Sequence, residues 1–228
     1  MRNWLARFGH ARPRPRAAGR SPRLPDGERV YAVGDVHGRA DLLHEMEARI
    51  ERDLERAPPP AVVRRIYLGD YVDRGPDTRG VVERLCRARR DGSRRTCLMG
   101  NHDWWFREFL EGAEVAPAWL SSGGDATLAS YGVSEFPPLS DEDAWAKLRS
   151  RLRRRVPPEH RRFFNTLERM TRHGDYLFVH AGIRPGLPLD RQDARDLLFI
   201  REPFLSDDTD LGVVVVHGHT VVDEPQVR

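Results

Sequence analysis

The sequence predicts an α/β fold with a βαβαβ core. Short apolar, β-branched runs alternate with longer amphipathic segments through the first half of the chain. Successive runs lie roughly thirty residues apart, the separation that a helical crossover between parallel strands requires. Each run ends in a turn that carries His, Asp or Asn beside Gly, and ligands of open α/β sheets gather beyond the carboxyl ends of the strands.

The strands are predicted from near-continuous apolar runs, because such runs suit strands that are buried on both faces. Five runs qualify, at 30–33, 66–68, 97–99, 176–179 and 213–216. Helices are predicted between the first three strands, at 39–56 and 77–91, since apolar residues recur there at helical spacing.

A helical insertion is predicted at about 104–171, since this stretch contains no convincing strand. Ser140 with Asp143 resembles a capping box that begins a helix running to about Arg155. A second helix should follow the prolines at 157–158. Its apolar stripe would be Phe163, Phe164, Leu167 and Met170.

Charge separates the first residues from the rest of the chain. Residues 1–25 carry seven arginines and no acidic residue, so removing them lowers the formal net charge by seven, from +3 to −4. We therefore predict a disordered basic leader at 1–27, followed by one mildly acidic domain at 28–228. Nucleic acid is not an expected partner of that domain.

Two other classes of protein are disfavoured. No stretch reaches the ~18 apolar residues of a membrane span, and the leader lacks the apolar segment of a secretory signal. Cys86 and Cys97 are too few for a disulfide framework. These features favour a cytoplasmic protein, and they leave its oligomeric state undetermined.

Six candidate metal ligands follow the five predicted strands. They are Asp35, His37, Asp70, Asn101, His180 and His219. Carboxylate, amide and imidazole groups without thiolates suit borderline divalent metals such as Mn, Fe, Co or Zn. Six ligands exceed the needs of one catalytic ion but can hold two ions ~3.5–4 Å apart that share a carboxylate. Asp70, in the turn GDYVDRG, is the predicted bridge.

Five motifs occur in order along the chain: GDVHG (34–38), GDYVDRG (69–75), GNHD (100–103), HAG (180–182) and GHT (218–220). Together they resemble the calcineurin-like metallophosphoesterase superfamily. The first three are most similar to its phosphoprotein phosphatase branch, especially to the bacterial and phage-lambda-type serine/threonine phosphatases. The resemblance implies a two-sheet sandwich flanked by helices. It also implies two divalent metal ions, manganese first, with iron, zinc, cobalt or nickel as alternatives.

The resemblance implies two ligand sets that share one carboxylate. The first set is Asp35, His37 and Asp70. The second set is Asp70, Asn101, His180 and His219. Four further residues would act on the substrate. His102 matches the general acid and Asp73 the carboxylate that orients it, whereas Arg74 and Arg201 match phosphate-binding arginines.

The implied reaction is hydrolysis of a phosphomonoester, in a phosphoprotein or a small phosphoester, by direct attack of a metal-bridging hydroxide. A protein serine/threonine phosphatase is the first expectation. The alternatives are a symmetrical diadenosine-tetraphosphate hydrolase and a non-catalytic metal-dependent binding protein. The presence of both Asp73 and His102 argues against the last, because a scaffold needs neither.

The remaining polar residues and the C-terminus carry weaker expectations. His160 and His173 are expected at the surface or at helix caps, and Asp103 receives no role. Relatives usually continue past the GHT motif into further strands, whereas this chain stops eight residues after Thr220. The final hairpin is therefore expected to be absent, or the chain to be a fragment.

Overall fold

The structure, a computed structural model, describes residues 21–56, 60–88, 94–138, 140–224 and 226. Residues 1–20, which hold most of the predicted leader, lie outside the described residues. Residues 21–27 are described, and part of this segment lies against the domain. The Arg23 amide donates to Asp175 Oδ2 at 2.9 Å, and the Arg23 carbonyl accepts from the Asp175 amide at 3.0 Å.

The described residues contain six strands in two sheets. They are β1 (Glu28–Val33), β2 (Val62–Tyr67), β3 (Arg95–Cys97), β4 (Met170–His173), β5 (Tyr176–Val179) and β6 (Val214–Val216). The first sheet has the order β1-β2-β3 and is parallel throughout, which confirms the predicted βαβαβ core. In the second sheet, β5 pairs antiparallel with β4 and parallel with β6.

Helices connect and cover the two sheets. Those described are α1 (Ala40–Arg56), α2 (Thr78–Ala88), α3 (Asn101–Glu111), α4 (Ala116–Leu120), α5 (Gly124–Ser130), α6 (Glu142–Arg155), α7 (Pro158–Asn165) and α8 (Ala194–Phe199). Single 3₁₀ turns occur at Leu189–Arg191 and Phe204–Ser206. Among the residues that the structure describes, none of the helices has both the length and the apolar composition to span a membrane.

The inserted segment is helical from α3 to α7, but two local predictions were wrong. Asp141, not Ser140, caps α6, since its Oδ1 accepts from the Ala144 amide at 2.9 Å. Helix α7 ends at Asn165, so Met170 does not continue its apolar stripe and instead begins β4. A four-residue strand has little periodicity of its own, and β4 is defined by its pairing with the apolar strand β5. The only sequence feature that could have indicated β4 was the Gly174–Asp175 turn, which is typical of a hairpin between two strands.

A third prediction, that His160 lies at the surface or at a cap, was also wrong. Its side chain is fully buried where α7 packs against α2. The Tyr131 hydroxyl lies 2.9 Å from His160 Nδ1, and Nε2 lies 3.1 Å from Glu83 Oε2. A histidine can be buried when both ring nitrogens have hydrogen-bond partners. No local sequence pattern predicts which residues those partners are.

The core explains how the sheets are stacked. Ile66 and Phe178 meet in an apolar layer between the two sheets, whereas Tyr67 packs on the opposite face of the first sheet, among the helices. Alternate residues of β2 therefore face different layers, as strand geometry requires. This stacking brings the carboxyl ends of β1, β2, β5 and β6 to the same end of the sandwich.

Candidate dinuclear metal centre

The candidate site lies where the loops after the strands converge. The His37 amide donates to the Asp70 carbonyl at 2.8 Å, which joins the loops after β1 and β2. The His219 amide donates to the Asp35 carboxylate at 3.2 Å, which joins the loops after β6 and β1. Segments far apart in the chain thus meet around one centre.

Backbone strain is concentrated in these loops. In the described part of the chain, five non-glycine residues have positive φ, and all five are candidate site residues: His37 (42°), Asp70 (52°), Asp73 (72°), Arg74 (66°) and His219 (63°). Each such residue costs roughly 1–2 kcal/mol. Strain of this kind persists where the surrounding structure holds it, and it clusters at functional sites.

Two glycines let the loops after β2 and β3 approach each other. Gly69 has φ 108°, and a Cβ on it would lie 2.4 Å from the Gly100 nitrogen. A Cβ on Gly100 would lie 2.0 Å from Asp70 Oδ1. A larger residue at position 69 would therefore clash with the backbone at Gly100, and one at position 100 would displace Asp70.

The Asp70 carboxylate lies between two clusters of ligand atoms. Its Oδ2 is 3.7 Å from His37 Nε2 and 3.5 Å from His180 Nε2. One cluster is His37, Asp70 and His102, and the other is Asp70, His180 and His219, with the ligand atoms of each within 4.8 Å of one another. Asn101 Oδ1 joins the second cluster, 3.0 Å from both His180 Nε2 and His219 Nδ1. A carboxylate common to both clusters has the position that a bridging ligand needs.

Asp35 belongs to neither cluster of three ligand atoms but lies beside the second. Its Oδ1 is 3.9 Å from His180 Nδ1. Asp35 nevertheless lines the same cavity as His37 and Asp70. It therefore remains a candidate ligand of the same centre.

The histidines are oriented as metal ligands. The carbonyls of Val72 and Leu68 accept from Nδ1 of His37 and of His180, each at 2.9 Å. These bonds hold the proton on Nδ1 and leave the Nε2 lone pair directed toward Asp70. Burial lowers the pKa of His37 to about 4 and lowers that of His180 as well, so both rings are neutral and able to bind a metal at neutral pH.

The electrostatics of Asp70 also fit a cation. Burial raises the pKa of Asp70 to about 7, His102 opposes the rise, and the nearby Asp35 carboxylate adds to it. A buried carboxylate beside a second one is unfavourable in its charged form unless positive charge compensates it. The donor set of oxygen and imidazole nitrogen therefore fits borderline divalent ions.

His102 and Asp73 form a buried pair beside this centre. His102 Nδ1 lies 2.7 Å from Asp73 Oδ2, and its Nε2 lies 3.2 Å from Arg74 Nη2. Two residues that the sequence analysis missed hold Asp73: Trp119 Nε1 donates to it at 3.0 Å, and Thr127 Oγ1 donates at 2.6 Å. Both lie in the stretch AWLSSGGDATLASYG, whose Trp and Thr give no local sign of this partner.

Asp103 is another supporting residue that sequence reasoning missed. Its fully buried carboxylate accepts hydrogen bonds from the backbone amides of Asp70 at 2.7 Å, Tyr71 at 2.9 Å and Gly100 at 2.9 Å. It thus fixes the loop that presents Asp70. The only sequence feature that could have indicated this role is that Asp103 is an acidic residue in the first turn of α3.

A cavity of about 270 Å³ opens onto the centre. Both candidate phosphate-binding residues, Arg74 and Arg201, line it together with His102. The Arg74 amide donates to the Gly123 carbonyl at 3.1 Å. Gly123 has φ 100°, and a Cβ there would lie 2.9 Å from Arg74 Cγ, so this glycine leaves room for Arg74.

The sequence model of one family, calcineurin-like phosphoesterase, matches residues 28–223. No curated protein matches the chain.

Several solved structures are similar to the chain at low sequence identity. A putative diadenosine tetraphosphatase is 23% identical over 75% of this chain and 58% of its own, with a TM-score of 0.45. A metallophosphoesterase from Sphaerobacter thermophilus is 21% identical over 67% of this chain and 46% of its own, with a TM-score of 0.35. A protein serine/threonine phosphatase from Saccharomyces cerevisiae is 15% identical over 68% of this chain and 38% of its own, with a TM-score of 0.37. The chain thus spans about half the length of the first two, and likenesses of this size say nothing of the substrate.

Proposed function

The chain belongs to the calcineurin-like phosphoesterase family, and from that premise we propose that it is a dinuclear-metal-dependent phosphomonoester hydrolase that acts as a protein serine/threonine phosphatase. One observation carries the proposal: Asp70 belongs to two ligand clusters, and His102, a member of one of them, is paired with the buried Asp73 carboxylate. A scaffold that only binds metal has no use for a proton donor held in this position.

The proposed ligand sets follow the sequence motifs. Asp35, His37 and Asp70 would hold one ion. Asp70, Asn101, His180 and His219 would hold the other. Bound there, two divalent cations, manganese or a similar borderline metal, would supply a water of lowered pKa as the nucleophile and neutralise charge on the phosphoryl oxygens.

The two arginines would bind the phosphoryl group. Arg74 and Arg201 line the same cavity as the ligands, and a planar guanidinium can donate two hydrogen bonds to phosphate oxygens. Arg74 is positioned by its backbone bond to Gly123. The charge that develops on the equatorial oxygens would therefore meet donors that are already in place.

His102 would donate a proton to the leaving oxygen. Asp73 would accept from Nδ1, and Nε2, which lies 3.2 Å from Arg74 Nη2 in this structure, would carry the proton that is transferred. Asp73 would stabilise the imidazolium and fix its orientation, as a buried carboxylate does in other His–Asp pairs. Trp119 and Thr127 would in turn hold Asp73 by their hydrogen bonds. No nucleophilic Ser or Cys is required, so no phosphoenzyme is expected.

Hydrolysis of symmetrical diadenosine tetraphosphate is the second candidate. It is favoured by two aromatic residues, Trp105 and Phe199, that line the cavity and offer rings on which a nucleobase can stack.

A substrate panel tests both candidates. The full chain, loaded with manganese, is assayed on phosphoserine and phosphothreonine peptides and on diadenosine tetraphosphate, with elemental analysis of the same sample. We expect two equivalents of metal and fastest phosphate release from the peptides. Faster turnover of the dinucleotide would favour the second candidate, and two bound metals with no hydrolysis would favour a binding protein. The variant His102→Asn, purified in parallel, separates the activity of the chain from that of a contaminant.

A further inference from the structure

Three aromatic rings form a wall on one side of the cavity. The ring centroids of Trp104 and Trp105, on α3, lie 5.8 Å and 5.5 Å from that of Phe199, at the end of α8. The Trp105 ring also meets the His102 ring edge to face, with centroids 5.2 Å apart. Trp105 and Phe199 line the cavity, whereas Trp104 does not. All three side chains are only partly buried.

The position of this wall defines what it can contact. Candidate metal ligands, Arg74 and Trp105 line one cavity, and the Trp105 ring lies against the His102 ring. If His102 protonates the leaving oxygen, the leaving group extends past His102 and along the wall. Large rings that remain partly exposed beside a polar site offer apolar faces, and such faces bind apolar and aromatic groups.

We propose that Trp105 and Phe199 form a subsite for an aromatic ring carried on the leaving-group side of the substrate. This inference rests on the proposed phosphomonoesterase function and narrows its substrate class. The preferred substrates are phosphomonoesters with a planar ring a few bonds from the scissile oxygen.

The size of the cavity limits how far the ring can lie from phosphorus. At about 270 Å³, the cavity is slightly smaller than the ~300–1,000 Å³ pockets that enclose whole small ligands. It has room for a phosphoryl group and the adjoining ring, so the remainder of the substrate lies outside. The ring can belong to a peptide side chain next to the phosphoresidue or to a nucleobase.

Benzyl phosphate and cyclohexylmethyl phosphate provide a direct test. Both release a primary alcohol of similar size and apolar area, so the ratio of their kcat/KM values reports on contact with an aromatic ring rather than on leaving-group chemistry. For the manganese-loaded full chain we expect a preference for the benzyl ester of roughly three- to tenfold, the range of a favourable aromatic pair.

Three substitutions at two neighbouring positions separate the subsite from the rest of the wall. Trp105→Leu should reduce the preference to about onefold, whereas Trp105→Phe, which keeps a ring, should retain most of it. Trp104→Leu is the matched control, because it makes the same change one residue away, outside the cavity lining. Equal ratios in the unmodified chain, or the same loss in Trp104→Leu as in Trp105→Leu, would overturn the proposal.

A binding measurement tests the same preference independently of turnover, in case a step other than substrate binding limits kcat/KM. Calorimetry with benzylphosphonate and cyclohexylmethylphosphonate should give the same preference in Kd, and Phe199→Leu should weaken it even if Trp105→Leu does not fold. If the unmodified chain hydrolyses neither ester and no phosphopeptide, the proposed function fails. If it hydrolyses both esters equally, only the aromatic subsite fails.

Two further comparisons identify where the ring comes from. Phosphoserine peptides that carry Phe or Leu next to the phosphoserine test a peptide side chain. Adenosine 5′-monophosphate and ribose 5-phosphate test a nucleobase. The source of the ring is the one represented by the substrate pair that has the larger ratio of kcat/KM values in the unmodified chain and loses it in Trp105→Leu. If neither pair loses its ratio in that variant, the result counts against a subsite for natural rings.

Discussion

His102 Nδ1 lies 2.7 Å from Asp73 Oδ2, and the side chains of both residues are almost completely buried. Trp119 and Thr127 close the other side of the carboxylate. The other ring nitrogen, His102 Nε2, lies 3.2 Å from Arg74 Nη2, and both side chains line the cavity that holds the candidate ligands. The His102 ring thus lies between a buried carboxylate and an arginine at the candidate metal centre.

Replacing His102 by Asn should lower kcat by about 10²–10⁴-fold, the usual contribution of a general acid, and should leave the metal content unchanged. Steady-state kinetics on a phosphoserine peptide, with elemental analysis of the same sample, check both parts. His102 also lies in the first ligand cluster, so a loss of one metal equivalent would identify it as a ligand instead. Near-normal turnover would exclude it as the general acid.

Replacing Asp70 by Asn should lower the occupancy of both metal positions, because its carboxylate is the group that the two clusters share. An amide presents only one oxygen to a metal and carries no charge, whereas a bridging ligand needs two acceptors. Metal equivalents per chain, measured after dialysis against trace manganese, should fall from two toward zero. The exposed residue Asp190 supplies the control, Asp190→Asn, which should keep both ions. Two ions in Asp70→Asn would argue against a bridge.

Replacing Asp103 by Ala should lower the free energy of unfolding by about 3 kcal/mol or more. The change leaves three buried backbone amides, those of Asp70, Tyr71 and Gly100, without their acceptor, and each orphaned donor costs roughly 1–3 kcal/mol. Urea denaturation followed by tryptophan fluorescence measures the loss. Asp103→Asn keeps one acceptor oxygen, so its free energy of unfolding should lie between those of the unmodified chain and of Asp103→Ala. A loss below about 0.5 kcal/mol would show that these bonds do not stabilise the loop.

The buried residue His160 should make stability depend on pH. Burial lowers its pKa below the ordinary value, with Glu83 opposing the shift, so the folded chain binds fewer protons at this group than the unfolded chain does. The free energy of unfolding should therefore decrease as pH falls below about 6.5, the ordinary pKa of histidine. Above that pH the group should have no effect.

Chemical denaturation at several pH values between 5 and 8 measures this dependence. His160→Gln, which can still donate and accept a hydrogen bond but does not titrate, should flatten the slope below pH 6.5. His44→Gln, at an exposed position, should leave the slope unchanged. An unchanged slope in His160→Gln would mean that other groups produce it.

Much of the architecture could be predicted from local patterns. Strand β5 and helix α1 agree with their predicted ranges to within one residue, because each carries its own periodicity of apolar residues. Strand β4 could not be predicted in this way, since its four residues become a strand only by pairing with β5. The cap of α6 moved by one residue for a related reason: Ser140 and Asp141 are both good caps, and chain geometry chooses between them.

The order of turns along the chain was enough to predict a meeting of Asp35, Asp70 and His180, because strand ends in one sandwich share an edge. Sequence alone could not give the partners of the polar groups. Three arrangements depend on contacts between segments far apart in the chain. They are Asp103 under the Asp70 loop, Trp119 and Thr127 around Asp73, and the wall of Trp104, Trp105 and Phe199. Such contacts are fixed by how helices and sheets stack, and stacking leaves no periodic signal in the residues that it brings together.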